Sequence, residues 1–190
     1  LFSEADSNVP QELDLEQLWH HSYLTSMLAK EIAVRGDLDK KLVDDVYLAS
    51  LLHNVGVLVL ALGSPEQYSK VLQFAGNDTE RQITSEQEEF GRTHAEIGGY
   101  LMGLWGLPDT IVEAIYFQHS PGDAPGTVSF SPLTAVHVAT ALVTDEMSEN
   151  GTPPGKLLDM DYLNLSGLAD EVPVWREMLT TILASGENSE

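Results

Sequence analysis

The sequence predicts an all-α protein folded as a compact multi-helix bundle, and three observations carry that prediction. Nearly every apolar segment repeats at helical spacing. No alternating run reaches the length of a strand. Between the apolar segments stand helix caps and breakers, Ser, Thr and Asp before them and Gly or Pro after. At 190 residues the chain suffices for one good-sized core and about one domain.

The first helix is predicted over 15–35. Asp14 caps it, Gln17 at the third helical position closes a capping box, and Gly36 stops it. Leu18, His21, Thr25, Leu28 and Ile32 then fall on one face. A second helix, about 39–53, aligns Leu42, Val46, Ala49 and His53. Ser64-Pro65 opens a third that ends near Gly76. Ser85-x-x-Glu88 reads as the start of a short acidic helix interrupted by Gly91. Thr93-x-x-Glu96 caps the next, which runs through Trp105 with His94 at its start, and Pro108 to His119 reads as another. Residues 120–131, "SPGDAPGTVSFS", read as a surface loop, and Ser131-Pro132 opens a long helix to about Glu146. "SENGTPPGK" is a second loop. "LLDMDYLNLSGL" and "VPVWREMLTTIL" form a terminal helical pair. The expected organisation is a linker over 1–14, one helical domain over 15–185 and a frayed tail over 186–190.

Composition narrows the function. Hydrophobic residues make up 43% and charged residues 21%, ordinary globular usage. Asp and Glu number 30 against 9 Lys and Arg, a formal net charge of −21. That balance argues against binding nucleic acid, where phosphates need clustered Lys and Arg, and against an anionic membrane surface. With no cysteine, neither a disulfide framework nor a thiolate metal site is possible. The longest apolar run, Val55 to Leu62, falls far short of the roughly 20 residues that span a bilayer. No basic segment precedes an apolar one at the start, so no signal peptide is read. The chain begins with Leu1 rather than methionine, and is expected to be a piece of a longer protein. A cytoplasmic module is expected.

The histidines are the candidate chemistry. His21 and His53 lie on the apolar faces of their helices, His94 at a helix start and His119 at a helix end. Any one alone is accounted for by a half-buried ring bonded to a backbone carbonyl. Four at the ends or inner faces of four helices is a better metal signal, although no pair has ligand spacing such as H-E-x-x-H. His20 is expected to be exposed and His137 to be a packed core residue. Asp159-x-Asp161 lacks the glycine and terminal glutamate of a calcium loop and is expected to cap a helix. Glu86, Glu88 and Glu89 are expected on a solvated helix face. Trp19, Trp105 and Trp175 are expected to fill the core. There is no G-x-S-x-G and no P-loop.

Several fragments together resemble the HDOD domain, a bacterial signalling branch of the HD metal-dependent phosphohydrolase superfamily. They are "LWHHS", "ASLLHNVGVLVL", "EEFGRTHAEIGGYLMGLWGLP" and "IVEAIYFQH", in the family's order over roughly 17–185, with "LLDMDYLNLSGL" similar to its terminal segment. The family usually carries a further helical half before the tryptophan, so the resemblance leaves two expectations: residues 1–14 end a half that the parent protein supplies upstream of Leu1, or the protein is a shortened form. It implies a metal set matching His21, His53, His94 and His119. Where the hydrolases carry metal-binding aspartates, this chain has Asn54 and Thr140; where they often carry a lysine, it has Val57. The glycine-tyrosine-proline motif of cyclic-dinucleotide phosphodiesterases is replaced after His119 by "SPGDAP".

Asparagine offers one neutral oxygen and cannot neutralise a divalent ion, and a threonine hydroxyl is a poor replacement ligand. The expectation is therefore a regulatory module without hydrolase activity, with no cofactor, acting on a partner protein or an attached sensor or receiver domain. The acidic surface favours basic partners. Two alternatives stand beside it: a metal-dependent phosphohydrolase or phosphodiesterase, and a metal- or ligand-sensing module with a divalent ion on the histidine cluster.

Overall fold

In a computed structural model, which describes residues 9–126, 128–148 and 157–187, the chain is helical throughout its core, with no strand among the described residues. Among the described residues ten α-helices follow one another: α1 Leu15–Arg35, α2 Lys40–Leu52, α3 Val55–Gly63, α4 Pro65–Ala75, α5 Thr79–Phe90, α6 His94–Leu104, α7 Asp109–Tyr116, α8 Pro132–Met147, α9 Met160–Leu165 and α10 Val172–Glu187. Short 3-10 turns at Pro121–Asp123 and Ala169–Glu171 join the later ones. Positions 149–156 of the second expected loop, the first eight residues of the linker and 188–190 of the tail lie outside the described residues.

Local chemistry explains most boundaries. Asp14 and Asp39 cap α1 and α2, accepting from Gln17 N–H at 2.9 Å and Leu42 N–H at 3.0 Å. For α1 only this half of the expected box forms; the reciprocal pair does close at Thr93/Glu96 on α6. Asp159 caps α9, as its spacing predicts, through Tyr162 N–H at 2.9 Å. Two expectations fail. The helix expected from Ser85 starts instead behind Asp78, leaving Ser85 buried in mid-helix. α7 ends at Tyr116, three residues short of His119.

α8 is the axis of the fold. Its residues from Pro132 to Val143 are buried without interruption, so it presents apolar groups all round rather than on one stripe. α1, α2 and α7 pack on it, and α10 closes the far side of α1 with Trp175 and Leu179 buried. A second, smaller core joins Val57, Leu60 and Ala61 of α3 to Tyr68 and Val71 of α4. Each fully buried Leu or Ile, such as Leu28 and Ile32 of α1, contributes about 1.5–3 kcal/mol of transfer free energy.

Close approach of α3 and α6 needs glycine. A Cβ on Gly56 would stand 1.9 Å from the backbone oxygen of His94, and one on Gly99 would stand 2.7 Å from Tyr116 Cβ. These contacts set the start of α6 against α3 and its middle against α7. By length and composition Lys40–Gly63 could cross a membrane, but it is broken at Asn54 and both its halves pack into the bundle.

Candidate functional site

The four histidines converge as two pairs. The rings of His21, on α1, and His53, at the end of α2, lie 5.2 Å apart; those of His94, opening α6, and His119, just past α7, lie 5.0 Å apart. His21, Asn54, Val57, His94, His119 and Thr140 line a cavity of about 200 Å3 together with residues that include Glu12 and Asp14. His53 does not reach the cavity and is fully buried behind it.

Hydrogen bonds fix which nitrogen of His21 carries its proton. Thr144 donates its hydroxyl hydrogen to Thr140 O at 2.8 Å, so at its 2.9 Å contact with His21 Nε2 it can only accept. His21 therefore carries Nε2–H, and its bare Nδ1 faces the Asn54 amide nitrogen at 3.4 Å. The asparagine acts as a donor where an aspartate would accept. His53 donates Nδ1–H to Ser50 O at 2.6 Å, which leaves the Nε2 lone pair buried without a partner. The Thr140 hydroxyl is likewise buried without one.

The second pair rests on a buried carboxylate. Glu86 Oε2 accepts from His94 N–H at 2.8 Å and from His94 Nδ1 at 2.7 Å; Oε1 accepts from Tyr68 OH at 2.8 Å and Gln82 Nε2 at 3.0 Å. With four bonds the carboxylate is satisfied although it has no exposed surface. Nε2 of His94 then meets Nε2 of His119 at 3.0 Å, a contact in which one proton is shared. A further chain braces the site from below. Gln118 donates to His53 O at 3.0 Å, His137 Nδ1 donates to Gln118 O at 2.7 Å, and His137 Nε2 accepts from Asp159 N–H at 3.0 Å.

Burial sets the charge. It pushes His21 down to about 4, with the nearby His94 and His20 rings adding to the shift. It also holds His53 and His119 well below the usual histidine range, again with neighbouring rings contributing. Burial pushes Glu86 up, yet its bonds and the His94 ring outweigh that and leave it below its ordinary value, a carboxylate. The Tyr68 phenol is raised by burial and by that carboxylate, so it stays a donor.

The sequence signature of the HDOD domain matches residues 1–121, well over half of the chain. The chain belongs to the HDOD domain family. An uncharacterised protein of Treponema pallidum (strain Nichols) is 32% identical over 157 residues, covering 80% of this chain and 29% of that protein. The fold is similar to an HDOD domain protein of unknown function from Geobacter sulfurreducens, with TM-score 0.70 and 22% identity over 95% of this chain and 63% of the other. It is also similar to a phosphohydrolase candidate from Shewanella amazonensis, with TM-score 0.69, 21% identity and 91% and 62% of the two chains covered. A signal-transduction candidate from Marinobacter aquaeolei matches at TM-score 0.65 and 26% identity over 87% and 36%. This HDOD domain thus spans under two thirds of the length of each of these relatives.

A carboxylate-anchored metal centre of the kind the resemblance implies does not fit these residues. Asn54 spends its amide on His21, Thr140 offers a neutral hydroxyl, and Glu86 has both oxygens taken. Among the described residues no group of three or more His, Asp or Glu side chains is arranged to hold a metal ion.

Sequence reasoning missed Glu86, expected on a solvated face. The signal was present: Gln82, Glu86 and Phe90 recur at i, i+4 and i+8, the inner stripe of α5. Gln118 and Thr144 were missed as well, their roles lying in tertiary bonds that spacing does not reveal. His20 is exposed and His137 packed, as expected. Of the tryptophans only Trp175 is core; Trp19 and Trp105 are 57% and 63% exposed.

Proposed function

We propose that this HDOD domain is a non-catalytic signalling or regulatory module that acts by binding a partner protein or an attached sensor or receiver domain. One observation carries the reading: both nitrogens of His21 are engaged, one donating to Thr144 and one accepting from Asn54. A metal-activated water needs ligands with free lone pairs and negative charge to hold the ion, and here Asn54 and Thr140 bring no charge. The former hydrolytic centre is thereby turned into a hydrogen-bonded joint between α1, α3 and α8. The likeness to a signal-transduction candidate agrees with this reading. The test is hydrolysis of bis(p-nitrophenyl) phosphate with added manganese. No turnover is expected from the natural protein, and turnover abolished by His53→Ala refutes the reading.

A second reading is favoured by the bare Nε2 of His53 and the unpartnered hydroxyl of Thr140: a sensor in which an imidazole-preferring ion such as zinc, nickel or copper occupies the histidines. Its signature is a metal that survives dialysis and is lost in His53→Ala.

A further inference from the structure

Three large side chains at the end of α6 face solvent: Tyr100 is 68% exposed, Leu104 65% and Trp105 63%. Tyr100 and Leu104, four residues apart, share one face of α6, and Trp105 follows at its C-cap. α7 lies directly alongside, because Gly99 and Gly103 let its Tyr116 and Val112 come close. The surface is therefore one continuous α6–α7 face. Its α7 flank is acidic. Asp109 is exposed and Glu113 half-buried, four residues apart on α7, and Glu96 takes the Tyr116 hydroxyl at 3.1 Å. The basic residue beside them, Arg92, is paired with Glu96 at 3.4 Å. Exposed aromatic and aliphatic groups grouped in this way mark an interaction site, and the acidic flank selects what can sit there.

We propose that the α6–α7 face of Tyr100, Leu104 and Trp105 docks an amphipathic helix whose apolar stripe is flanked by lysine or arginine. This rests on the regulatory reading above and gives it a surface. The apolar stripe covers Leu104 and the two aromatic rings, and the basic flank meets Asp109 and Glu113. The chain's charge of −21 speeds the approach of such a partner and repels an acidic one.

The probe is a synthetic amphipathic helix of leucine and lysine, with its leucine–glutamate counterpart as control. Binding is followed by backbone amide shifts in NMR and by titration. The expected result is shifts confined to residues around 96–113, and affinity about tenfold or more weaker for Leu104→Asp and for Asp109→Lys combined with Glu113→Lys. Replacing the other exposed aromatic pair, Trp19→Ser with Tyr23→Ser on α1, should leave affinity unchanged. The proposal is overturned by no binding, by shifts spread over the whole acidic surface, or by a Leu104→Asp variant that binds as well as the natural protein. A concentration-dependent dimer in sedimentation that Leu104→Asp dissolves assigns the face to a second copy and overturns it also. None of these touches the non-catalytic reading, which falls only with metal-dependent hydrolysis.

Discussion

Asn54 Nδ2 faces Nδ1 of His21 at 3.4 Å, as a donor to a bare ring nitrogen. The assignment is forced from the opposite side of the ring, where Thr144 can only accept because its own hydrogen goes to Thr140 O. A carboxylate at position 54 could not make this contact with the same tautomer. Substituting Asn54→Asp sets an acceptor against the lone pair, and the ring must take up a second proton to answer it. The histidine should then titrate well above its present value of about 4. Ring 15N shifts of His21 across a pH series measure this, and a value that stays near 4 contradicts the assigned tautomer.

Glu86 ties α5 to α6 through a carboxylate with no exposed surface. In Glu86→Gln, an amide NH2 must face either the two His94 donors or the Tyr68 and Gln82 donors, so bonds on one side are lost or reversed. The expected loss of stability is about 2–4 kcal/mol. Tyr68→Phe removes one of the four bonds and should cost about 1–2 kcal/mol. Urea unfolding gives both numbers; a Glu86→Gln protein as stable as the natural one rules out the network as described.

Acid should destabilise the fold over a defined window. His21 falls to about 4 in the folded state from an ordinary value of 6.5, and His53 and His119 are shifted the same way. Between those values the unfolded chain binds more protons than the folded one, so stability decreases as pH falls below about 6.5. Glu86, also lowered, adds loss in the same direction at more acidic pH. Above pH 7 these groups contribute a constant amount. Thermal midpoints from pH 8 to pH 4 test the shape; a midpoint flat from 6.5 to 4.5 shows that the histidines are not buried uncharged.

Gly56→Ala places a methyl 1.9 Å from the His94 carbonyl, a backbone atom that no rotamer can move. The cost should reach or pass the upper end of the roughly 1–3 kcal/mol usual for overpacking. His94 and His119 should separate as α6 shifts, visible as altered ring shifts. Ala at Gly63, where nothing lies within 4 Å, is the neutral control.

How far the sequence reaches depends on the kind of signal. Caps are local, so Asp14, Thr93, Ser131 and Asp159 are legible and stand at helix starts. α3 is not legible as a helix of its own, because Val55 to Leu62 is apolar all round and has no face to give a period. Within the site, the inward histidines follow from helical phase and chain breaks. Their wiring does not: His94 meets Glu86 across a turn, and Thr144 reaches His21 from 123 residues away. The acidic run around Glu86 disguises a buried carboxylate among solvated ones. Trp19 and Trp105 mislead in the opposite sense, since large aromatic groups default to the core and these two face out.

The most direct test of the central claim is the metal content of untagged protein, by elemental analysis after growth with added manganese, iron, zinc and nickel. A hydrogen-bonded site with Asn54 and Thr140 where the hydrolases carry aspartates predicts less than about a tenth of an equivalent of any metal. Near-stoichiometric metal would contradict the account and return the four histidines to the role of ligands.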